Sequence, residues 1–279
     1  MAISLHTNYA NLVTQNNLNS VNKALTTSME RLSTGLRINS AADDAAGLQI
    51  ANRLEAQSRG MSVGMRNSQD AISMMQTAEG SMDEMTNMAY RMKDLATQAA
   101  NGTNSDEDIA AMQSEFSALA GQLEKMQTST SFGGKQLLGS TGAFGAGDVT
   151  FQIGSSSDDT LTVNVATELA DLETAVGDFQ AADLLSTNAA TTMDALDSFI
   201  GELGAARSAF GAQINNLEHN INNLANMVEN VDASKGRIMD TDFAKESGVM
   251  SKNQMLMQAG AQMLSATKMM PQLAMSMLG

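Results

Sequence analysis

The chain has 279 residues, roughly two domains' worth of polypeptide, with one proline, no cysteine, no tryptophan and 23 methionines. The absence of cysteine excludes disulfide scaffolds, thiolate metal sites and cysteine nucleophiles, and two histidines, His6 and His219, leave little room for imidazole chemistry. A net charge of −15 opposes nucleic-acid binding, which needs a basic footprint against the phosphate backbone.

The first residues, Met1-Ala2-Ile3-Ser4-Leu5-His6, lack the basic and apolar regions of a leader, so no cleaved signal peptide is expected. No run approaches the ~18–20 apolar residues of a membrane span, and no membrane partner is expected. Leu18, Val21, Leu25, Met29, Leu32 and Leu36 then step by three or four, a helical stripe. A long helix is predicted from about 44 to 100, with Met75, Met82, Met85, Ala89, Met92 and Leu95 on one face. Asn101-Gly102-Thr103-Asn104 ends it as a turn. Asn101-Gly102-Thr103 is also a formal glycosylation sequon, for which the turn is a sufficient reading. Ser105 starts the next helix with Asp108 three positions on, as in a capping box with a shorter acid. Asp106 and Glu107 complement the positive helix start. Ile109, Met112, Phe116, Leu119, Leu123 and Met126 form its apolar face, and Ser129 to Gly134 ends it.

Between about 135 and 190 the pattern changes. Val149, Phe151 and Ile153 alternate with polar residues, as do Leu161, Val163 and Val165, and a turn-like stretch from Gly154 to Thr160 separates them. These read as a hairpin, followed by a short helix near 168–185. Met193, Leu196, Ile200, Leu203, Phe210, Ile214, Leu217, Ile221, Leu224, Val228 and Val231 then hold a heptad seam, with Arg207 in the one interrupted slot. Such a seam needs a partner stripe, and the methionine face at 75–95 is the matching one. At the C-terminal end Met250, Met257, Leu264 and Met270 repeat the pattern, beside Met263. Methionine is flexible at the thioether and suits a contact that adapts to more than one packing.

Charge is uneven along this order. Residues 1–42 hold Lys23, Arg31 and Arg37 against Glu30, and residues 250–279 hold Lys252 and Lys268 with no acid, so the acids concentrate in the middle. Weakly charged ends with helical stripes and no internal partner ask for partners. Catalytic signatures are missing: there is no Walker loop, HExxH, GxSxG or metal-spaced cluster. Ser20-Val21-Asn22-Lys23 matches SxxK without its companion motifs. Gly145-Ala146-Gly147 is half a dinucleotide fingerprint with no helix pattern after it. No enzyme activity, cofactor or metal is expected.

The stretch Arg31-Leu32-Ser33-Thr34-Gly35-Leu36-Arg37-Ile38-Asn39-Ser40-Ala41-Ala42-Asp43-Asp44-Ala45-Ala46-Gly47-Leu48 closely resembles the N-terminal signature of bacterial flagellins. The likeness continues through Gln98-Ala99-Ala100-Asn101-Gly102-Thr103-Asn104-Ser105. It returns at Arg237-Ile238-Met239-Asp240-Thr241-Asp242-Phe243-Ala244-Lys245-Glu246 and at Gln258-Ala259-Gly260. It covers about 1–140 and 190–279, so the chain looks like a short, lateral-type flagellin lacking large outer domains.

The resemblance implies a mainly α fold of long, coiled-coil-like antiparallel helices with a small β-hairpin region at about 145–166. It implies an inner helical domain in which residues 1–42 and 237–279 pair, and an outer helical domain over 43–236. The implied function is that of a structural subunit polymerising into the extracellular flagellar filament for swimming or swarming. Alternatives are a hook–filament junction protein, which shares similar terminal helices, and a secreted helical type III binding module. Implied partners are further copies in a helical homopolymer, an export chaperone, filament cap and hook-junction proteins, and a host Toll-like receptor. The polymerisation seam would use Leu18, Val21, Leu25, Met29, Leu32, Leu36, Met250, Met257, Met263, Leu264 and Met270. Receptor contact would fall on Arg91, Leu95 and Glu115, and O-linked sugars on Ser155, Ser156, Ser157 and Thr160.

Overall fold

A helix leaves free backbone groups at each terminus, and several helices of the chain begin or end where a side chain or a glycine satisfies them. In the computed structural model, which describes residues 8–181 and 188–276, helix α1 spans Tyr9–Thr34. The Asn8 side chain caps it by accepting from the Asn11 N–H at 3.1 Å. It stops at Gly35, whose φ of 74° is the left-handed conformation that glycine adopts without steric cost. Asp44 then accepts from the Gly47 N–H at 2.9 Å and opens α2, Ala45–Ala99. At 1.5 Å per residue this helix is about 80 Å long, a length that the lack of proline permits. Helix α3, Asp106–Ser129, starts with the expected capping box between Ser105 and Asp108.

Two small antiparallel hairpins follow. Strands β1, Ser131–Phe132, and β2, Lys135–Gln136, pair across Gly133 and Gly134. Those glycines have φ of 58° and 83°, the positive values that a tight two-residue hairpin turn demands. The sequence reading treats this stretch only as a helix end. Strands β3, Val149–Gln152, and β4, Thr160–Val163, form the expected hairpin, with Val149 opposite Val163 and Phe151 opposite Leu161. Helices α4, Ala166–Ala181, α5, Ala189–Met239, and α6, Phe243–Ser276, complete the described chain.

The chain divides into two units, Met1–Ala56 with Asn230–Gly279, and Gln57–Glu229. Both boundaries fall inside continuous helices, α2 and α5. In the second unit the methionine face of α2 is buried as expected: Met75, Met82, Met85, Ala89, Met92 and Leu95 are all inaccessible. Leu196, Leu203, Phe210 and Leu217 of α5, spaced by sevens, belong to the same core with Phe116 and Leu123 of α3. Edge-to-face aromatic contacts link Phe116 to Phe179, Phe179 to Phe199, and Phe144 to Phe210. The interrupted heptad slot is filled differently from the sequence reading. Ala206 is buried, and Arg207 turns outward to pair with Asp83 at 3.0 Å. With Lys93–Asp197 and Thr97–Met193, this fixes α2 and α5 antiparallel, since numbers fall on one helix as they rise on the other.

The β3–β4 turn docks on α2 through two helical glycines. A Cβ at Gly64 would lie 2.8 Å from the Ile153 carbonyl oxygen, and one at Gly60 would lie 2.7 Å from the Ser155 Cβ. Asn67 Nδ2 donates to the Gln152 carbonyl at 3.0 Å beside them. Small residues on this helix face let a backbone turn sit directly on a helix backbone.

Candidate assembly surface

In the first unit, α1 and α6 lie antiparallel. Asn8 Nδ2 donates to the Thr267 carbonyl at 2.9 Å, Leu18 packs at Gly260, and Arg31 faces Glu246 at 3.9 Å. On α1 the inward positions are Asn11, Thr14, Leu18, Val21, Leu25, Ser28 and Leu32. On α6 they are Met250, Asn253, Met257, Gly260, Leu264 and Thr267. Both sets step by three and four, the spacing of a coiled-coil seam. A Cβ on Gly260 would meet Leu18 at 3.1 Å, so glycine sets how closely the helices approach there.

The sequence-derived seam is thus largely the seam between these two helices of one chain. Leu18, Val21, Leu25, Leu32, Met250, Met257 and Leu264 face the partner helix. Leu36 lies past the end of α1, half-buried in a β-bridge to Asp240. Met29 and Met263 lie outside the seam, 47 % and 62 % exposed. The side chain of Met270 lies outside the described residues. Sequence reasoning missed the seam's polar and small members, of which Ser28 and Asn253 are buried. Their signal was position alone: each continues the three–four spacing where an apolar residue is absent.

What α6 leaves uncovered matters more. Val249, Leu256 and Met263 form a second row spaced by sevens beside the seam, and Met255 and Met269 lie two heptads apart on a third row. All five are exposed, as are Tyr9, Leu12 and Val13 on α1 and Phe243 at the start of α6. An apolar row left open on a helix is one that its surroundings are expected to bury, and α1 covers only one row of α6. Below the pair, the segment after α1 runs beside the α5–α6 link, with Arg37 N donating to the Met239 carbonyl and Thr241 N to the Gly35 carbonyl. A cleft of about 550 Å³ opens there among Arg31, Arg37, Arg237, Lys245, Asp240 and Glu246. The Arg31 Nε within it is buried without a hydrogen-bond partner. Asp43, in the same segment, accepts from the Ser40 and Asn39 N–H groups, which hold its carboxyl below the usual aspartate range.

Charge separates the two units. The first holds nine Lys and Arg against eight Asp and Glu, and the second holds seven against 23. The nearly neutral unit is therefore the one with exposed apolar rows. Elsewhere, Arg91 and Glu115 are both exposed and joined by a two-pronged contact, Nε at 2.9 Å and Nη2 at 2.6 Å from one carboxylate oxygen. Leu95 is 2 % exposed and belongs to the core, so the structure brings two of the three receptor candidates to the surface and not the third. Ser155, Ser156, Ser157 and Thr160 are all exposed around the β3–β4 turn. His219 is exposed, whereas His6 lies outside the described residues. Among the described residues no group of three His, Asp or Glu could hold a metal ion, and no helix is long and apolar enough to cross a membrane.

A family profile for the bacterial flagellin N-terminal helical region matches residues 5–143, and one for the bacterial flagellin C-terminal helical region matches residues 193–278. Flagellin A of Vibrio anguillarum is 36% identical over 382 aligned residues, with 100% of each chain covered. Polar flagellin C of Vibrio parahaemolyticus is 36% identical over 388, again covering 100% of both. With 279 residues here, about a hundred positions of either alignment have no counterpart in this chain. The solved structure of a flagellar hook-associated protein from Vibrio parahaemolyticus shares the fold, with a TM-score of 0.56 and 16% identity over 71% of this chain and 100% of that one.

Proposed function

The chain belongs to the bacterial flagellins, and from that membership we propose that the uncovered apolar rows of the α1–α6 pair are the surface through which successive copies join. The protein is a structural subunit of the flagellar filament, a short one without large outer domains, and its task is mechanical. The observation that carries the surface assignment is the exposed row Val249, Leu256 and Met263, with Met255 and Met269 beside it, next to the one row of α6 that α1 covers. Burying these residues needs neighbouring copies, and a heterologous contact that does not close generates a helical fibre. In this reading the first unit forms the inner layer and the acidic second unit faces water outside the cell. No reaction, cofactor or metal is required.

The finer partners belong to the same proposal. An export chaperone would cover α6 before assembly, because its exposed rows are an aggregation hazard in free solution. Cap and hook-junction proteins would meet the same rows at the two ends of the fibre. Arg91 and Glu115 are the surface pair that a host receptor would meet, with Leu95 supporting them from beneath. The exposed Ser155, Ser156, Ser157 and Thr160 are the positions offered to O-linked sugars.

The test is seeded polymerisation of the purified chain, followed by sedimentation and electron microscopy. The unaltered protein is expected to form fibres. Gly260→Leu, which forces α6 away from Leu18, is expected to stay soluble while the second unit melts unchanged. An unaltered chain that never extends seeds would overturn the reading.

A further inference from the structure

The 23 methionines are sorted by environment. In the second unit Met61, Met75, Met82, Met85 and Met92 are at most 1 % exposed. In the first unit Met29, Met255, Met263 and Met269 are 47 %, 65 %, 62 % and 57 % exposed. Met263 lies in the row with Val249 and Leu256, and Met255 and Met269 make up the third row of α6. Among the described residues the most exposed thioethers are therefore Met255, Met263 and Met269, on the rows of α6 assigned above to contact between copies, and Met29, on the side of α1 that α6 leaves uncovered.

We propose that Met29, Met255, Met263 and Met269 are a modification site for peroxide-class oxidants that decides whether a free copy can join the fibre; this rests on the filament reading above. The chemistry balances without a further reactant. The sulfur lone pair attacks one peroxide oxygen, the O–O bond breaks, an S–O bond forms and water leaves. Sulfur loses two electrons, and the peroxide gains them. The product sulfoxide is polar and chiral where the thioether was apolar and flexible. In the free chain water solvates it at no penalty. In the joined state it would be buried among Val249, Leu256 and their counterparts, where a polar oxygen without a donor is strongly disfavoured. The second unit keeps its fold because its core methionines are out of reach. Once copies are joined, the contact itself shields the four sulfurs, so the site acts on free chains and spares the fibre. Enzymatic reduction of the sulfoxide reverses the block.

The experiment treats free chain and preformed fibres with the same mild dose of hydrogen peroxide, then maps oxidation by peptide mass spectrometry and measures seeded assembly. In free chain the four exposed methionines are expected to gain oxygen well before Met61, Met75, Met82, Met85 and Met92. The concentration needed to extend seeds is expected to rise at least about tenfold. In fibres the four should be protected. A variant with all four replaced by leucine, substitutions at solvent-facing positions that leave the fold intact, is expected to extend seeds equally before and after treatment. The inference is overturned if treated chain assembles at the untreated concentration, if the leucine variant is blocked as well, or if the four oxidise no faster in free chain than in fibres. Untreated chain that fails to extend seeds would overturn the filament reading itself, and this inference with it.

Discussion

Glu202 shows how one carboxylate sets a pH response. It is half-buried on α5, and burial, aided by the charge of Asp171 on α4, raises its pKa above the ordinary glutamate value. A raised acid binds its proton more tightly in the folded chain than in the unfolded one. The ionised form thus weakens the fold above the folded pKa, and that penalty disappears as pH falls below the unfolded value. Glu202→Gln is expected to raise the melting temperature at neutral pH, with the gap to the parent closing in acid. Thermal melts followed by circular dichroism across the two conditions check it. Asp108 is the contrary case: hydrogen bonds from Ser105 hold its carboxyl low, so its contribution is present at neutral pH and is lost when acid protonates it. The Ser105–Asp108 cap was legible because both partners lie three residues apart on one strip of sequence. The Glu202–Asp171 pair was not, because 30 positions of chain separate them before the fold joins them.

At the level of elements, long helices were legible and their contacts only in part. Uninterrupted periodicity without proline defined α2 to within a residue at each end, and the methionine stripe faced the core as its spacing required. The β1–β2 hairpin escaped because four strand residues carry no alternation to read. Met29 matched the seam's step by chemistry, yet Ser28 holds the inward position, and Met263 lies outside beside the inward Leu264: helix phase, not hydrophobicity, decides which side faces in. Glycine gives an internal comparison on α2. Gly80 has open space around its missing Cβ, whereas Gly64 faces the Ile153 backbone. Gly80→Ala should stabilise the second unit by about 0.5–1 kcal/mol through helix propensity. Gly64→Ala should destabilise it by about 1–3 kcal/mol, because a backbone carbonyl cannot move aside as a flexible side chain can. Urea denaturation of the two variants reads the difference, and equal shifts in one direction would show that the turn does not dock on α2.

For the whole molecule, the partition of charge governs how copies meet. Seven cations against 23 acids in the second unit make neighbouring copies repel at the range where their apolar rows have yet to touch. Salt shortens that range from about 30 Å at 0.01 M to about 8 Å at 0.15 M. Seeded growth followed by light scattering is therefore expected to accelerate between these two conditions, and growth indifferent to salt would show that charge does not limit the encounter. The acidic middle was visible in the sequence at once. The boundary between the units was not, because it crosses α2 and α5 at Ala56/Gln57 and Glu229/Asn230, where neither helix changes its composition or its hydrogen bonding.

The pairing of α1 with α6 also sets a clock. Arg31 meets Glu246 at the start of α6, and Asn8 meets Thr267 across 259 positions of chain, so a ribosome must reach α6 before α1 has anything to pair with and must make nearly all of it before the pairing is complete. Everything that the second unit needs has been synthesised by residue 229. The joining surface is thus the last part of the molecule able to form, and a nascent copy still attached to its ribosome has no finished surface with which to capture another.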